Sequence, residues 1–266
     1  MRILTRRDTG LLTQWTFGTS GLDADATAFL TAAGITDPTI VNAITILVVA
    51  LKNYGIWTKM KAIYPMVGGT STTCKFNLVT PADTNLAFRL SFVGGWTFSS
   101  NGALPNGVNA YADTFLTPIT SLTNFINLSY YSRTNNNAAQ VELGSESNLI
   151  SIKYTGLGML SRIYQNVVTS AYTPTVSTGF FGVSRINNTQ YKQYMNGSTV
   201  ATYTAAVAGT GTKTFFIGAF NRVGSITEYS SKECAFASIG DGLTDTEVAN
   251  LNTAVQAFQL SLSRNV

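Results

Sequence analysis

Residues 191–203 read YKQYMNGSTVATY. Asn196 and Gly197 separate two runs rich in aromatic and β-branched residues. A two-residue turn with the twist of antiparallel strands needs positive φ at both central positions, and Asn followed by Gly tolerates this best. The stretch therefore predicts a β-hairpin. What surrounds it decides the sheet to which the hairpin belongs.

From about residue 62 the chain reads as turns and short strands. After the turn-rich GGTSTTCKFNLVTPADTN come AFRLSFV, GGWTFSS, NAYADTFL, FINLSYYSR, AAQVEL, LISIKY, MLSRIYQ, GFFGVSRI, YKQYM, STVATYT, KTFFIGAF and CAFASIG. Short strands at this spacing, with no helix-length pattern between them, indicate a sandwich or barrel rather than βαβ units.

The flanks are helical. Residues 1–21 carry no clear period and read as an extended arm. Residues 23–33, DADATAFLTAA, predict a short helix with acids in its first turn and Gly34 as its stop. In TDPTIVNAITILVVALKNYGIW, Asp37 suits an N-cap, Pro38 the first helical position and Gly55 the end. The apolar residues of this second helix cover most of its circumference, from Ile40 through Ile44 and Leu47 to Leu51. Two explanations stand: burial between the β domain and the arm, or a subunit interface. At the other end, DGLTDTEVANLNTAVQAFQLSLSRNV predicts a closing helix over 245–263. Thr244 and Glu247 form a capping box, and Leu243 and Val248 a hydrophobic staple. Val248, Leu251, Val255, Phe258 and Leu262 draw one apolar stripe, which suits packing on the sandwich or a seam between protomers.

Composition narrows the chemistry. The chain has 266 residues, enough for one large all-β domain with additions or two modest ones. Only 11% are charged, against roughly 25% in an average globular protein. Such scarcity suits a surface that partly meets other protein or lies outside the cytosol. The net charge is +4 with no histidine. The missing histidine removes Ser-His-Asp and Cys-His nucleophile systems and His-type zinc sites. Basic residues cluster only at Arg2, Arg6 and Arg7, so no nucleic-acid stripe is read. Two distant cysteines, Cys74 and Cys234, exclude a disulfide framework. The first residues lack an apolar core with a cleavage site, and Ile40 to Leu51 is too short to span a bilayer. The sequence reading is thus of a protein with no secretory signal, no membrane partner and no cofactor.

The order of motifs around the hairpin resembles laminin-G-like and concanavalin-A-like jelly rolls. The resemblance runs through Asn196-Gly197, Ile217-Gly218-Ala219, the strand Phe236 to Ile239, and Leu243 to Glu247, and covers about residues 85–255. The leader AFLTAAGITDPTIVNAI…LKNYGIWTKMKAIYPMVGGT…KFNL…ADTNLAFRLSFVGGWTFSSNGALPNGVNAYADT is similar to a segment that accompanies such jelly rolls in tailed-bacteriophage virion proteins. The terminal helix is longer than the family's, which leaves about the last ten residues outside the resemblance.

This resemblance implies a mainly β fold: a jelly-roll β-sandwich, concanavalin-A-like, with an N-terminal arm plus helical segment and a C-terminal amphipathic helix. Residues 1–61 would form the anchoring and assembly segment, and 62–266 the laminin-G-like sandwich. It implies a fibre, tail or capsid-decoration protein made in the host cytoplasm and located on the virion. Its partners would be itself as a homo-oligomer, other virion proteins and host surface glycans. The alternatives are a free carbohydrate-binding lectin-like domain and a polysaccharide hydrolase.

Candidate residues follow from each reading. For assembly they are Ile40, Ile44, Leu47, Leu51, Val248, Leu251, Val255 and Phe258. For sugar contact they are Trp96, Tyr111, Tyr131, Arg133, Asn135 and Asn136, because aromatic faces meet the apolar side of a sugar and amides or guanidinium meet its hydroxyls. Tyr130 lies beside Tyr131, and period-2 burial hides one of the two. A hydrolase needs two flanking carboxyl groups. The nearest approach is Glu142-Leu-Gly-Ser-Glu146, with no central acid. Glu228 and Glu233, flanking Lys232, read as a solvated edge. Asp113, Asp241 and Asp245 are the possible oxygen donors for calcium, without an acid-dense loop. No catalytic residue and no metal ligand is assigned.

Overall fold

The computed structural model describes residues 22–123, 125–165, 169–209 and 211–266. The chain enters through helices α1 (Ala24–Ala33) and α2 (Pro38–Asn53). Asp23 caps α1 by accepting from the Asp25 and Ala26 amides, and Gly34 ends it in the left-handed conformation. Asp37 accepts from the Thr39 and Ile40 amides at the start of α2, with Pro38 in its first turn. The Asp37 cap is the one expected from sequence, and Asp23, read as an acid of the first turn, is the cap of α1: in each a side-chain oxygen satisfies amides that lack an intrahelical partner.

Strand β1 (Met60–Tyr64) and the single turn α3 (Ser71–Cys74) lead to β2 (Ser91–Val93), β3 (Trp96–Ser99), β4 (Gly102–Pro105) and β5 (Tyr111–Asp113). After the turn α4 (Pro118–Ser121) come β6 (Ile126–Ser132), β7 (Leu143–Ser145), β8 (Asn148–Tyr154), β9 (Gly158–Ile163) and β10 (Thr169–Tyr172). The remainder is β11 (Gly179–Ser184), β12 (Gln190–Met195), β13 (Ser198–Thr204), β14 (Phe216–Ile217), β15 (Phe220–Arg222), β16 (Ser225–Thr227), β17 (Cys234–Asp241) and α5 (Asp245–Ser261).

The strands form two sheets. The first runs β13-β12-β11-β6-β17-β4-β3, with β1 also beside β17. The second runs β10-β9-β8-β7-β14-β5-β2, extended by β15 and β16. Pairing is antiparallel throughout except for β15 against β7. Leu128, Tyr130, Phe181, Val183, Ala237 and Ile239 of the first sheet meet Leu143, Ile150, Ile152, Met159 and Ile217 of the second in one buried core. The fold is therefore mainly β, a β-sandwich, as its strand pattern predicts.

The opening hairpin is β12–β13, at an edge of the first sheet. Asn196 has φ 49° and Gly197 φ 78°, the two positive values the turn requires. Tyr191 and Tyr203 face each other across the pair with ring centroids 5.1 Å apart. The turn tip also touches α5: a Cβ on Gly197 would lie 3.3 Å from Ala249 Cα and 3.1 Å from Asn252 Cβ. Gly197→Val combines a disfavoured φ with that contact, so a loss of about 1–3 kcal/mol is expected in denaturant unfolding.

A third layer distinguishes this sandwich. Strands β6 and β17 are buried along nearly their whole length, on both faces. The outward residues form cross-strand rows: Phe180–Tyr131–Phe236, then Gly182–Ser129–Ser238, then Ser184–Asn127–Gly240. The large row meets the end of α5, where Phe236 and Phe258 rings lie 6.5 Å apart. The small rows leave room for its beginning, where the Ser184 hydroxyl donates to Leu243 O and accepts from Leu243 N–H. Helices α1, α2 and α5 share one apolar cluster with Ile63, Tyr131, Phe180, Tyr194 and Phe236.

This layer accounts for the apolar helices. Ile44, Leu47, Leu51, Val248, Leu251, Val255 and Phe258 are fully buried within the chain's own core. They are thus consumed internally and are not presented to a partner; Ile40 is half-buried. The outer side of α2 keeps Val41, Ile46, Val49 and Ala50 only partly covered. The Thr244–Glu247 capping box forms as expected.

The last residues have a structural task. Arg264 is 1% exposed and donates to five acceptors: Gln259 Oε1, and the carbonyls of Pro65, Met66, Ser100 and Ala235. Burial lowers its pKa to about 10. Val266 N–H donates to the Tyr131 hydroxyl. The segment beyond the expected family helix therefore ties α5 to β1 and β17.

Candidate functional site

The sandwich presents three places where a ligand could rest. The first is a rim around Trp96 and Tyr111, two of the sugar-contact candidates. Trp96 opens edge strand β3, and its indole N–H donates to Val93 O at 3.1 Å and Tyr111 O at 3.3 Å. Its half-exposed ring packs edge-on against Phe92 at 5.2 Å and lies over Gly218, where a Cβ would come within 3.1 Å of it. Tyr111, also half-exposed, stacks on Phe216 with centroids 4.5 Å apart. Trp96 and Tyr111 are therefore neighbours across the ends of the two sheets.

The loop after β4 continues this rim. Asn106 Oδ1 accepts from the amides of Val108, Asn109 and Ala110, and Asn106 Nδ2 donates to Asn109 Oδ1. Thus held, the loop projects Val108, 72% exposed. Gly107 touches Ser231, whose hydroxyl accepts from Asn136 Nδ2 at 2.8 Å. The Asn135–Asn136 loop therefore joins the same rim. Its amides are largely committed, since Asn135 Oδ1 accepts from Ser177 N–H and Asn136 Oδ1 from Gln140 Nε2. The loop is tied by these bonds, and Asn137 is exposed on it.

The other two sugar-contact candidates are placed differently. Tyr131 is fully buried beneath the helical layer, its hydroxyl engaged with Gln256 and Val266. Tyr130 is buried as well, on the opposite face, donating to Lys232 O at 2.7 Å. The expectation that one tyrosine faces out fails because the sheet is covered on both sides. Arg133 pairs with Glu233 at 3.4 Å, near the rim but mostly enclosed.

The second place lies on the outer face of the second sheet and was not read from the sequence. Val141, Leu149, Leu160 and Phe220 form a satellite apolar cluster, with Tyr154 packed against it. The guanidinium carbons of Arg162 and Arg222 stand 5.0 and 5.6 Å from the Phe220 ring centroid. Half-buried Glu228 is beside them; burial raises its carboxyl pKa, and the two arginines oppose that rise. These residues are scattered from Val141 to Glu228, so no local motif could announce them.

The third place is a cleft of about 520 Å³ between the α1–α2 turn, the Gly68-Gly69 loop and Leu262. Its polar lining is Thr36, Asp37, Thr39, Thr73 and Ser100. Asp37 and Thr73 are already engaged in helix caps.

The acids considered for catalysis and calcium have other tasks. Glu142 is fully buried: its Oε2 accepts from Ile152 N–H at 2.6 Å, and Oε1 lies 3.4 Å from Lys232 Nζ. Lys232 is equally buried, which corrects the expectation of a solvated edge around it. Glu146 Oε2 accepts from the Thr212 amide and hydroxyl. Asp241 pairs with Lys61 and Asp245 with Lys192, while Asp113 accepts from the Phe115 amide. Among the described residues no group of three His, Cys, Asp or Glu could hold a metal ion, and no helix is long and apolar enough to cross a membrane. Both cysteines are free and buried.

No family model matches the chain, and no curated protein matches it in sequence. Its fold does have solved likenesses. A Trypanosoma rangeli sialidase matches 80% of this chain and 38% of its own at a TM-score of 0.53 and 11% identity. A botulinum neurotoxin type C structure, described as dependent on two ganglioside molecules for cell entry, matches 76% and 52% at 0.50 and 12%. Domain 4 of an extracellular arabinanase from Geobacillus stearothermophilus, in complex with arabinotriose, matches 73% and 98% at 0.49 and 16%. The chain thus spans about half or less of the neurotoxin and sialidase chains it matches. At these identities the likeness shows the fold, a β-sandwich.

Proposed function

We propose that this chain is a non-enzymatic display protein of a phage virion, in a fibre, tail or capsid decoration, whose sandwich contacts host surface glycans. The observation that carries the glycan contact is the rim, where Trp96 and Tyr111 stand beside amide-rich loops held by hydrogen bonds. Such a surface offers apolar faces to sugar rings and fixed polar groups to hydroxyls, with little ordering left to do on binding. The β-sandwich likeness to a neurotoxin described with gangliosides agrees with this use of the fold. The virion role rests on the leader's resemblance and on the scarcity of charge.

A second reading, a free lectin-like domain, is favoured by the helical layer. The leader helices bury their apolar residues on the chain's own sandwich. If copies of the chain assemble, the half-covered Val41, Ile46 and Val49 of α2 are the surface left for contact.

Antibody labelling of purified particles tests the first reading: label at fixed positions on the particle is expected, and a chain found only free in the lysate would overturn it. For the rim, Trp96→Ala is expected to weaken glycan binding at least about tenfold, with Trp96→Phe intermediate. Equal binding by all three proteins, each folded by circular dichroism, would remove the rim from the account.

A further inference from the structure

The stretch that builds the Trp96 and Tyr111 rim carries no charge: from Leu90 to Ala112 the sequence holds no Asp, Glu, Lys or Arg. Asp113, which follows, accepts from the Phe115 amide, and the Arg133–Glu233 pair is mostly enclosed. Exposed aliphatic side chains gather on the rim instead. Val93 is 41% exposed and Val108 72%. Val93 pairs with Tyr111 across β2 and β5, and its carbonyl accepts from the Trp96 indole. The loops that follow β2 and β4 abut, since a Cβ on Gly94 would lie 2.2 Å from Asn109 O.

Asn109 adds a polar group of fixed direction. Its Oδ1 accepts from Gly95 N–H at 3.2 Å and from Asn106 Nδ2 at 2.8 Å. Asn109 is exposed, so an amide whose oxygen is held in this way offers its Nδ2 hydrogens to a ligand. A fixed amide donor at Asn109 and an exposed aliphatic side chain at Val108 are thus consecutive in the chain, and Gly95 joins them to Trp96.

We infer that the rim recognises a neutral sugar carrying an acetamido group. That substituent presents a carbonyl acceptor and a methyl group side by side. Asn109 Nδ2 is placed to donate to the carbonyl, Val108 to cover the methyl, and Trp96 and Tyr111 to meet the apolar face of the ring. An acidic sugar would lose hydration here without a cation from residues 90–112 to offset the loss. The inference rests on the glycan-contact reading above and names the sugar class for the same rim.

Titration of the full chain with the methyl glycosides of N-acetylglucosamine and N-acetylgalactosamine, each beside its parent glucoside or galactoside, tests this. At least one acetamido sugar is expected to bind about tenfold more tightly than its parent, with an affinity that added salt leaves unchanged. Asn109→Asp keeps an oxygen for Gly95 N–H and Asn106 Nδ2 but removes the donor, and is expected to abolish the preference. Val108→Ser, a change at an exposed position, is expected to reduce it about threefold. Equal affinity for both acetamido sugars and their parents, an unaltered preference in Asn109→Asp, or binding that weakens with salt would each overturn the inference. If acetamido and parent sugars bind alike and Trp96→Ala abolishes both, this inference fails and the rim reading stands. If no sugar of any class binds, both fall.

Discussion

Replacing Lys232 with Met is expected to destabilise the protein by about 3–5 kcal/mol, and adding Glu142→Gln to recover most of that loss. The two side chains are fully buried, with Lys232 Nζ 3.4 Å from Glu142 Oε1. The ammonium has no hydrogen-bond partner of good geometry, so Glu142 is its main compensation. Glu142 is better supplied, accepting from Ile152 N–H and from the Ser230 hydroxyl. Removing the cation leaves a carboxylate in an apolar core, the more expensive half of the exchange. Replacing both removes two desolvation penalties together, which is why buried ion pairs often give way to neutral residues at little loss. Denaturant unfolding of the two single variants and the double variant measures the coupling directly.

The same pair sets a dependence on pH. Burial raises the Glu142 pKa above its usual 4.5, outweighing the lowering by Lys232. In the folded state the carboxyl therefore holds its proton more tightly than in the unfolded chain. The stabilisation tied to that proton is fully present below about pH 4.5 and is lost as pH rises through the folded pKa. Glu142→Gln is expected to flatten this part of the stability profile. A profile unchanged by the substitution would show that Glu142 titrates alike in both states.

Arg264→Met is expected to cost about 3–5 kcal/mol, and Arg264→Lys nearly as much. The guanidinium spends all its donors on Gln259 and on four carbonyls drawn from the end of β1, the β3–β4 turn and β17. Without it, buried carbonyls lose their partners, and a lysine cannot reproduce the fork. The guanidinium also lies over the Phe258 ring at 5.2 Å, so the change loosens α5 where it meets the sheet. A melting temperature within about 2 °C of the unsubstituted protein would show that this anchor contributes little.

Much of this architecture is legible in local chemistry. Asn196-Gly197, the Asp37 cap and the Thr244–Glu247 box each act within a few residues, and each forms as read. The third layer is not legible in the same way. Alternation normally marks one buried face, but here Phe180, Gly182 and Ser184 alternate with Phe181 and Val183, and both sets are buried. Small residues on the second face leave space for a helix, and in sequence they resemble a polar, solvated face. Tyr131 was misplaced for that reason. Of the two explanations for the apolar surfaces of α2 and α5, packing on the chain's own sandwich is the one the structure shows.

The candidate site divides along the same line. Trp96 and Tyr111 could be chosen as half-buried aromatics near turns, and the structure brings them together. The Asn135–Asn136 loop has the amides that sugar hydroxyls require, yet most of them hold the loop itself. Arg162, Arg222 and Glu228 are brought together only by the pairing of β7 with β8 and β15 and of β8 with β9. No spacing in the chain encodes that.

The decisive measurement is binding of the folded full-length chain to an array of neutral and acidic glycans at low and physiological salt. Selective, saturable binding that Trp96→Ala removes is the expected result. A folded protein that binds none of them would contradict the assignment of this sandwich to glycan contact.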